Sequence, residues 1–259
     1  LLIEDLGDAV FGAEVHRGAD QRALWSRGVD TLVALRRHRP SATLPLPDGT
    51  THSLPALDAD TLQIETELLL DWYWPAANDS AVPATARQDF LRLWHETFAE
   101  VLKAPKGWLL RDYHSPNLIA LDDRPAPRDV GIIDFQDALF GPEAYDLVSL
   151  LQDARLDVPA ALEAELLDRY IAAVAAADKT FDADAFRFGY AALGAQRNTK
   201  ILGIFARLAK RDGKRAYLAH IPRIWGYLAR DLTHPQLSGL KAWYDEHLPA
   251  NHRGRTLNI

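Results

Sequence analysis

The most informative stretch of the chain is Leu110-Arg111-Asp112-Tyr113-His114-Ser115-Pro116-Asn117. It ends where a run of β-forming residues begins, so its Asp and its Asn are predicted to share one loop at the entry to a strand. A second acidic stretch, Ile132-Ile133-Asp134-Phe135-Gln136-Asp137, closes the next β-like run. Polar side chains on loops beside rigid strands are candidates for chemistry, because such loops carry most binding and catalytic residues.

The chain between these two stretches is typical of an antiparallel hairpin, with two short β-like runs around a turn-rich segment centred near Pro125. In that register Asn117 lies opposite Ile133 and beside Asp134. An amide carbonyl and a carboxylate are therefore predicted to converge at the rim of the hairpin. Asp112 stands a few residues upstream on the same rim.

Amide and carboxylate oxygens of this kind suit Mg²⁺, a hard ion that keeps several waters and bridges substrate phosphates. The sequence therefore predicts a magnesium site at Asn117 and Asp134. A separate carboxylate near the metal, Asp112, can orient a transferable hydroxyl and accept its proton. Protein kinases and their relatives use this combination, with an Asp and an Asn in the catalytic loop followed by a metal-binding Asp.

The amino-acid sequence of several segments resembles that of one family within this group, the aminoglycoside phosphotransferase-like kinases. Within this family the chain is most similar to the bacterial N-acetylmuramate/N-acetylglucosamine anomeric kinases of cell-wall recycling. The resemblance covers essentially the whole chain and is sharpest between residues 108 and 155. The segments that carry it are residues 110–118, 132–138, 144–155, 196–200 and 225–231.

The resemblance implies a role for each matching residue. It makes Asp112 the catalytic base or hydroxyl-orienting group, and it makes Asn117 and Asp134 the magnesium ligands. Asp146 resembles the buried carboxylate that braces the catalytic loop through backbone hydrogen bonds. Residues 1–7 resemble the hinge whose backbone holds the adenine of ATP. The expected nucleotide-binding residues are Glu4, Asp5, Leu6 and Ile133.

Five further side chains are candidate substrate contacts, and each has a simpler structural interpretation. His114 either acts as a general base or substrate contact, or it only hydrogen-bonds within the loop. Asp137 either contacts substrate or a second metal ion, or it caps the following turn. Arg197 and Asn198, on a helix expected to face the cleft, either bind substrate or form a structural ion pair. Trp72, in an aromatic and acidic run, either forms the wall of a sugar site or packs in the core.

Two positions depart from the pattern of the wider family. Leu110 stands where most members have His, which matters only if that side chain contacts the phosphate instead of supporting the loop. Gln136 follows Phe135 where protein kinases have Gly, and the anomeric kinase branch usually has Gln there.

The second lobe of a kinase is not visible in the sequence. Kinases cover the phosphates with a glycine-rich loop and contact them with a strand lysine. No two of the 15 Gly are spaced as G-x-G, there is no Met, and the chain begins Leu1-Leu2-Ile3. These observations predict that the N-terminal nucleotide-covering lobe is missing and that the residues present bind ATP poorly. Residues 1–7 are predicted to be hinge-like, and residues 8–259 to form a single kinase-like C-terminal lobe.

The predicted fold class is α+β, mostly helical with a small β hairpin at the catalytic rim. Residues 1–6 are predicted to end a short strand, and residues 40–58 to form a loop or a short hairpin. Helical periodicity predicts helices at residues 20–37, 60–72, 84–103, 144–155, 159–177, 183–210, 214–232 and 236–247.

Composition limits the classes of function. The chain has 259 residues, of which 36 are acidic and 29 basic, and its formal net charge of -7 argues against nucleic acid or an anionic membrane as the main partner. The lack of Cys excludes disulfides, thiolate metal sites and cysteine nucleophiles, which favours a cytoplasmic protein. No run of 18 apolar residues is present, so no transmembrane helix is predicted.

The predicted function is phosphorylation of a small-molecule hydroxyl with ATP and Mg²⁺ as cofactors. The preferred acceptor is the anomeric hydroxyl of N-acetylmuramate or N-acetylglucosamine. An aminoglycoside or another amino alcohol is a second acceptor class. A catalytically silent, kinase-like scaffold is a third possibility, which the retained Asp112, Asn117 and Asp134 disfavour because a scaffold has no chemical use for all three.

Overall fold

A computed structural model describes residues 4–38, 40–253, 257 and 259. Most of these residues are helical, and the strands are short. In chain order the helices are α1 (Phe11–His16), α2 (Gln21–Arg37), α3 (Ala59–Leu68), α4 (Trp74–Asn78), α5 (Ala84–Val101), α6 (Ala144–Leu151), α7 (Ala160–Ala177), α8 (Ala183–Asp212), α9 (Ile221–Asp231), α10 (Ser238–His247) and α11 (Ala250–Arg253). The strands are β1 (Thr43–Pro45), β2 (Thr51–Ser53), β3 (Lys106–Leu109), β4 (Leu118–Ala120), β5 (Val130–Ile132) and β6 (Leu139–Pro142).

Shorter helical turns complete the secondary structure. A π-helical turn, Leu69–Tyr73, joins α3 to α4. Single 3₁₀ segments occur at Ser115–Asn117, Arg215–His220 and Pro235–Leu237. Within the described ranges, no helix combines the length and the apolar character that crossing a bilayer requires.

The described chain forms two compact units, each built from two separate stretches. The first unit contains the described residues up to Ala56 together with Pro105–Phe186. The second unit contains Leu57–Ala104 and the described residues from Arg187 onward. The α+β class is confirmed. Whether residues 8–259 form a single kinase-like lobe is a question about domains, which a division into compact units does not answer, so it stays a prediction. The absence of the nucleotide-covering lobe also stays a prediction.

The strands of the first unit pair as three two-stranded antiparallel sheets, β1 with β2, β3 with β6 and β4 with β5. In the third sheet Leu118 faces Ile132 and Ala120 faces Val130, which is the predicted hairpin register. The β1–β2 pair is the short hairpin that was one of two alternatives for residues 40–58. The β3–β6 pair was not predicted, because the Gly-Pro sequence at its end is typical of a turn.

The predicted strand over residues 1–6 is wrong where it can be checked. Residues 1–3 lie outside the described chain, and residues 4–6 are not in a strand. Gly7 has a φ of 75°, a left-handed conformation that turns the chain at this point. Pairing starts only beyond that turn, where Val10 forms a bridge with Ile119 and the Ala120 amide donates to the Ala9 carbonyl at 2.8 Å.

Helix α2 packs against the loop of residues 110–117 and supports it. The Asp20 carboxylate caps its first turn by accepting from the Arg22 amide at 2.9 Å. On the buried face of α2, the Trp25 indole donates to the Leu150 carbonyl at 2.9 Å. The Gly28 carbonyl accepts from the Tyr113 hydroxyl at 2.8 Å, so the helix holds the loop residue next to Asp112 in place.

The second unit is helical and has an aromatic core. The helix predicted over residues 84–103 is present as α5, and it buries Phe90, Trp94 and Phe98 on one face. Trp243 of α10 packs on this face, with its ring centroid 4.7 Å from that of Phe90. Residues four apart lie on one face of a helix, which is why the periodicity alone located this core.

The helix predicted over residues 60–72 changes its geometry at Leu69, where the π-helical turn begins. Helix α8 comes very close to this point. A Cβ atom built on Gly203 would lie 2.3 Å from the carbonyl carbon of Leu68. Only Gly allows such an approach, so the residue before the π-helical turn is held against the backbone of α8.

Replacing Gly203 by Ala is expected to lower the free energy of unfolding by about 1–3 kcal/mol, because the new methyl group overlaps a backbone that cannot easily move. Gly189→Ala in the same helix is the matched control, since no atom lies within 4 Å of the added Cβ. That change is expected to raise the free energy of unfolding by up to about 1 kcal/mol. Chemical denaturation measures both values, and equal effects in the two variants would contradict the close approach.

Candidate active site

The β4–β5 hairpin brings the two predicted metal ligands together. Its register continues one step past the strands, where the Ile133 amide donates to the Asn117 carbonyl at 3.1 Å. Beyond this pair, Nδ2 of Asn117 lies 3.4 Å from Oδ2 of Asp134. The predicted adjacency of Asn117 and Asp134 is therefore confirmed, and the amide and the carboxylate lie side by side at the hairpin rim.

The Asn117 side chain also links this pair to the loop, because its Nδ2 donates to the Asp112 carbonyl at 3.0 Å. Since the amide nitrogen serves both contacts, Oδ1 is the atom left to act as a ligand. The second oxygen of Asp134, Oδ1, accepts from Nε2 of Gln136 at 2.8 Å. Asp134 has a φ of 61°, an uncommon value that Asp tolerates better than most residues and that often marks functional positions.

The side-chain oxygen atoms of Asn117 and Asp134 suit a magnesium ion as ligands. Both are oxygen atoms of the hard type that Mg²⁺ prefers, and Asp134 is exposed, so waters and phosphate oxygens can complete the coordination. The part of the chain that the structure describes contains no group of three or more His, Cys, Asp or Glu placed to hold a metal ion. Proteins ordinarily bind Mg²⁺ at a phosphate through only one or two side chains, whereas structural Zn²⁺ is fully coordinated by four protein ligands.

Asp112 lies on the loop with a carboxylate open to solvent, its side chain being 54% exposed. A tight turn presents it, in which the Asp112 amide donates to the Leu110 carbonyl at 2.8 Å and Arg111 has a φ of 66°. His114 is mostly buried beneath, with Nε2 3.8 Å from Oδ1 of Asp112. An accessible carboxylate on a rigid turn is suited to align the hydroxyl of an incoming acceptor.

A buried carboxylate holds this turn in its unusual conformation. Asp146, in the first turn of α6, accepts from the Leu110 amide at 2.6 Å and from the Arg111 amide at 3.0 Å. Ser149, one helical turn later, donates to the Arg111 carbonyl at 3.3 Å. The predicted brace at Asp146 is confirmed. Its charge-assisted hydrogen bonds support the strained backbone directly before Asp112.

A second brace was missed by the sequence reasoning. Asp153 is fully buried and accepts from the Ser115 amide at 2.9 Å, which fixes the far side of the loop. Its other oxygen accepts from the Arg155 amide at 2.8 Å. The sequence carries no local signal for it, because Asp153 lies beyond the end of α6 at Leu151 and reaches Ser115 only through packing. Between the two braces, burial raises the pKa of Tyr113 far above its ordinary value.

Replacing Asp146 by Asn is expected to lower the free energy of unfolding by about 2–4 kcal/mol, because two part-buried amides lose the charged acceptor on a buried side chain and one of these amides faces the new NH₂ group. Activity is expected to fall by about tenfold or more as the turn before Asp112 loosens. Asp123→Asn, an exposed carboxylate in the β4–β5 turn, is the matched control. Unchanged stability in Asp146→Asn would contradict the role of a brace.

The predicted nucleotide-binding residues lie along one side of the hairpin. A Cβ atom added to Gly131 would lie 2.9 Å from Cδ1 of Leu6, so Leu6 lies directly over β5. Two of the side chains already have partners, since Glu4 pairs with Arg124 and Asp5 accepts from the Gly7 amide. The first three residues of the expected hinge lie outside the described chain.

The residues on either side of Asp134 leave apolar surface exposed. Ile133 is 41% exposed and Phe135 is 54% exposed. Large apolar side chains in such positions suit contact with a flat ligand. Asp137 is also exposed, on the turn closed by the Ala138 amide and the Phe135 carbonyl at 3.1 Å.

The three remaining substrate candidates belong to the second unit. Asn198 is buried and donates from Nδ2 to Oδ2 of Asp231 at 3.0 Å. Arg197 is also buried. Trp72 is partly exposed and lies in the π-helical turn. The contacts of Asn198 support a structural role, and the substrate roles of all three stay predictions.

The chain is similar to known phosphotransferases. Residues 1–188 match the model of the phosphotransferase enzyme family. An N-acetylmuramate/N-acetylglucosamine kinase of Caulobacter vibrioides is 38% identical over 252 residues, which are 97% of this chain and 68% of that protein. Kinases of the same name from Neisseria meningitidis serogroup B and Pseudomonas aeruginosa are 32% and 31% identical over 89% and 93% of this chain. The chain covers 66% and 67% of those two proteins, or about two thirds of the length of each relative.

Proposed function

The chain belongs to the phosphotransferase enzyme family, and from this we propose that it transfers the γ-phosphoryl group of ATP, with Mg²⁺, to a hydroxyl of an amino sugar. The acceptor that we propose is the anomeric hydroxyl of N-acetylmuramate or N-acetylglucosamine. The names of the relatives support this sugar class. We place the reaction in the cytoplasm, where ATP is available, and residues 8–259 in one kinase-like lobe with residues 1–7 as its hinge.

One observation carries the proposal. Asn117 contacts both Asp134, at 3.4 Å, and the backbone of Asp112, at 3.0 Å. The side-chain amide of Asn117, itself a proposed metal ligand, therefore connects the second proposed ligand, Asp134, to the loop that carries the proposed base, Asp112. Phosphoryl transfer needs little more from the protein than such positioning together with charge stabilisation.

The residues divide the chemistry between them. Asp112 orients the acceptor hydroxyl and takes its proton as the oxygen attacks phosphorus. Asn117 and Asp134 would hold the Mg²⁺ ion, which supplies charge neutralisation on the transferred phosphate. Asp146 and Asp153 keep the loop rigid, so that little reorganisation is needed when the acceptor arrives. We propose the backbone of Glu4, Asp5 and Leu6, with the exposed face of Ile133, as the adenine site.

The acceptor sugar needs polar groups for its hydroxyls and an apolar face for its ring. His114 and Asp137 of the first unit lie near the reacting carboxylates in sequence and are proposed as hydroxyl contacts. In the second unit, taken by itself, Trp72 has a partly exposed ring of the kind on which sugars stack, and it is proposed as a substrate contact. Arg197 and Asn198 of the same unit are proposed as substrate contacts from the sequence, and both side chains are buried.

The experiment uses the full-length protein with ATP and Mg²⁺ against a panel of amino sugars, aminoglycosides and choline. Mass spectrometry and phosphorus NMR identify the product and the phosphorylated position. A sugar 1-phosphate from N-acetylmuramate or N-acetylglucosamine supports the proposal. Phosphorylation of an aminoglycoside or choline alone contradicts the proposed acceptor, and no product together with no bound nucleotide contradicts the kinase.

A further inference from the structure

A basic pocket lies in the first unit, at the end of β3 away from the catalytic loop. It has a volume of about 530 Å³, and six ionisable side chains line it: Arg36, Arg37, Lys106, Lys179, Glu143 and Asp178. None of them belongs to the catalytic loop or to the β4–β5 hairpin. Strand β3 runs from Lys106 at the pocket to Leu109 next to the loop, so the pocket is separate from the proposed catalytic centre.

Three of the charges at this pocket form one ionic group. Arg36 donates from Nε to Glu143 at 2.7 Å and from Nη2 to Asp178 at 3.0 Å. Its guanidinium also lies 5.5 Å from the ring centroid of Phe181. Hydrogen bonds from Thr180, and then the one from Arg36, lower the pKa of Asp178 to about 2, so this carboxylate is ionised at neutral pH. The group has a net charge of -1 and a fixed shape.

The other three charges are cations without a carboxylate partner in the described part of the chain. Arg37 and Lys106 are exposed at the pocket, and Lys179 contacts only the Ala175 carbonyl, at 3.5 Å. The six ionisable side chains therefore sum to +2 in a protein whose net charge is -7. A local charge of the opposite sign inside a concavity attracts anions.

The helix dipole accounts for part of this arrangement but not for all of it. Arg36 and Arg37 lie in the last turn of α2, and Lys179 follows the end of α7, where cations are favoured. Lys106 opens a strand, so no helix end explains its place beside them. Its pairing with Pro142 in β6 brings it next to Glu143 and into the same pocket.

We propose that this pocket binds a phosphorylated sugar or polyol. A phosphomonoester carries a charge of about -1.5 to -2 at neutral pH, which matches the excess of cations. Arg and Lys are the side chains that bind phosphate best. The volume is in the range of small-molecule sites and exceeds the needs of a bare phosphate, while Glu143 and Asp178 present acceptors for hydroxyl groups. The proposal does not depend on the proposed catalytic function.

The test measures binding of glucose 6-phosphate, glucose and inorganic phosphate to the full chain by calorimetry, without Mg²⁺ or nucleotide. The pocket variant combines Lys106→Gln with Lys179→Gln, and the matched control combines Lys210→Gln with Lys214→Gln. All four lysines are exposed, so both variants are expected to fold, and each changes the net charge equally. Asp112→Asn serves as a catalytic-site variant that leaves the pocket intact.

Glucose 6-phosphate is expected to bind the unmodified protein and to bind the pocket variant at least about tenfold more weakly, because each lysine removes a charge-assisted contact. Binding by the control and by Asp112→Asn is expected to stay within about twofold of the unmodified protein. Four results overturn the proposal: no binding at millimolar concentration, equal weakening in the control, loss in Asp112→Asn alone, or inorganic phosphate binding as tightly as the sugar phosphate.

Discussion

Asp112→Asn is expected to reduce kcat for sugar phosphorylation by about 10²–10⁴-fold. The substitution keeps the shape of the side chain but removes the group that takes the proton of the acceptor hydroxyl. Because the Asp112 carboxylate is exposed and its backbone carbonyl still accepts from Asn117, the loop is expected to keep its structure. Steady-state kinetics with a saturating sugar concentration measures the change.

The controls for Asp112→Asn separate chemistry from folding. Nucleotide affinity and the free energy of unfolding are expected to stay at the values of the unmodified protein, since the Asp112 carboxylate accepts no hydrogen bond from the described part of the chain and lies 3.8 Å from Nε2 of His114. Asp123→Asn, the same change at an exposed residue of the hairpin turn, is expected to leave kcat unaltered. A variant at Asp112 with near-normal kcat would rule out this carboxylate as the base.

Asp134→Asn is expected to lower kcat/KM by about 10²–10³-fold, because the transferred phosphate loses much of the charge stabilisation that bound Mg²⁺ supplies. The Mg²⁺ concentration at half-maximal activity is expected to rise at least about tenfold, which distinguishes a metal ligand from a general acid or base. Titration of activity with Mg²⁺ at fixed ATP measures both effects. Asp134 is exposed, so stability is expected to change little.

A direct comparison with Asp112→Asn tests this assignment further. If Asp134 binds the metal and Asp112 does not, only the Asp134 variant is expected to respond to higher Mg²⁺. Asp123→Asn again provides the unaffected reference. If the residual activity of the Asp134 variant does not depend on the Mg²⁺ concentration, this side chain is not a metal ligand.

The pair of Asn117 and Asp134 could be predicted because it depends on local rules. The register of a hairpin follows from the centre of its turn-rich segment, and a strand places alternate residues on opposite faces, so two positions near its open end are neighbours once that centre is located. The observed pairing of Leu118 with Ile132 follows from this. The longer helices were predictable for a similar reason, since apolar periodicity and Pro positions are local features, whereas the short helices α1 and α4 were not predicted.

The second brace could not be predicted with the same certainty. Asp153 reaches Ser115 over 38 residues of chain, and such a contact exists only once α6 has packed beside the loop. The π-helical turn at Leu69–Tyr73 likewise lies in a sequence with ordinary helical periodicity. Its neighbour across the unit is Gly203, more than 100 residues away, and no local pattern reveals that approach.

The sequence by itself determined the α+β class, the hairpin register and the pairing of Asn117 with Asp134, and its resemblance to a known family implied the bracing of the loop by Asp146. Only the tertiary structure decided how the Asn117 amide is turned, which carboxylate braces Ser115, and that Arg36, Lys106 and Lys179 meet at one pocket. The physical reason is the sequence separation over which each kind of interaction acts. Turn chemistry and side-chain periodicity act between residues a few positions apart, whereas side-chain orientation and charge clustering depend on which distant elements pack together.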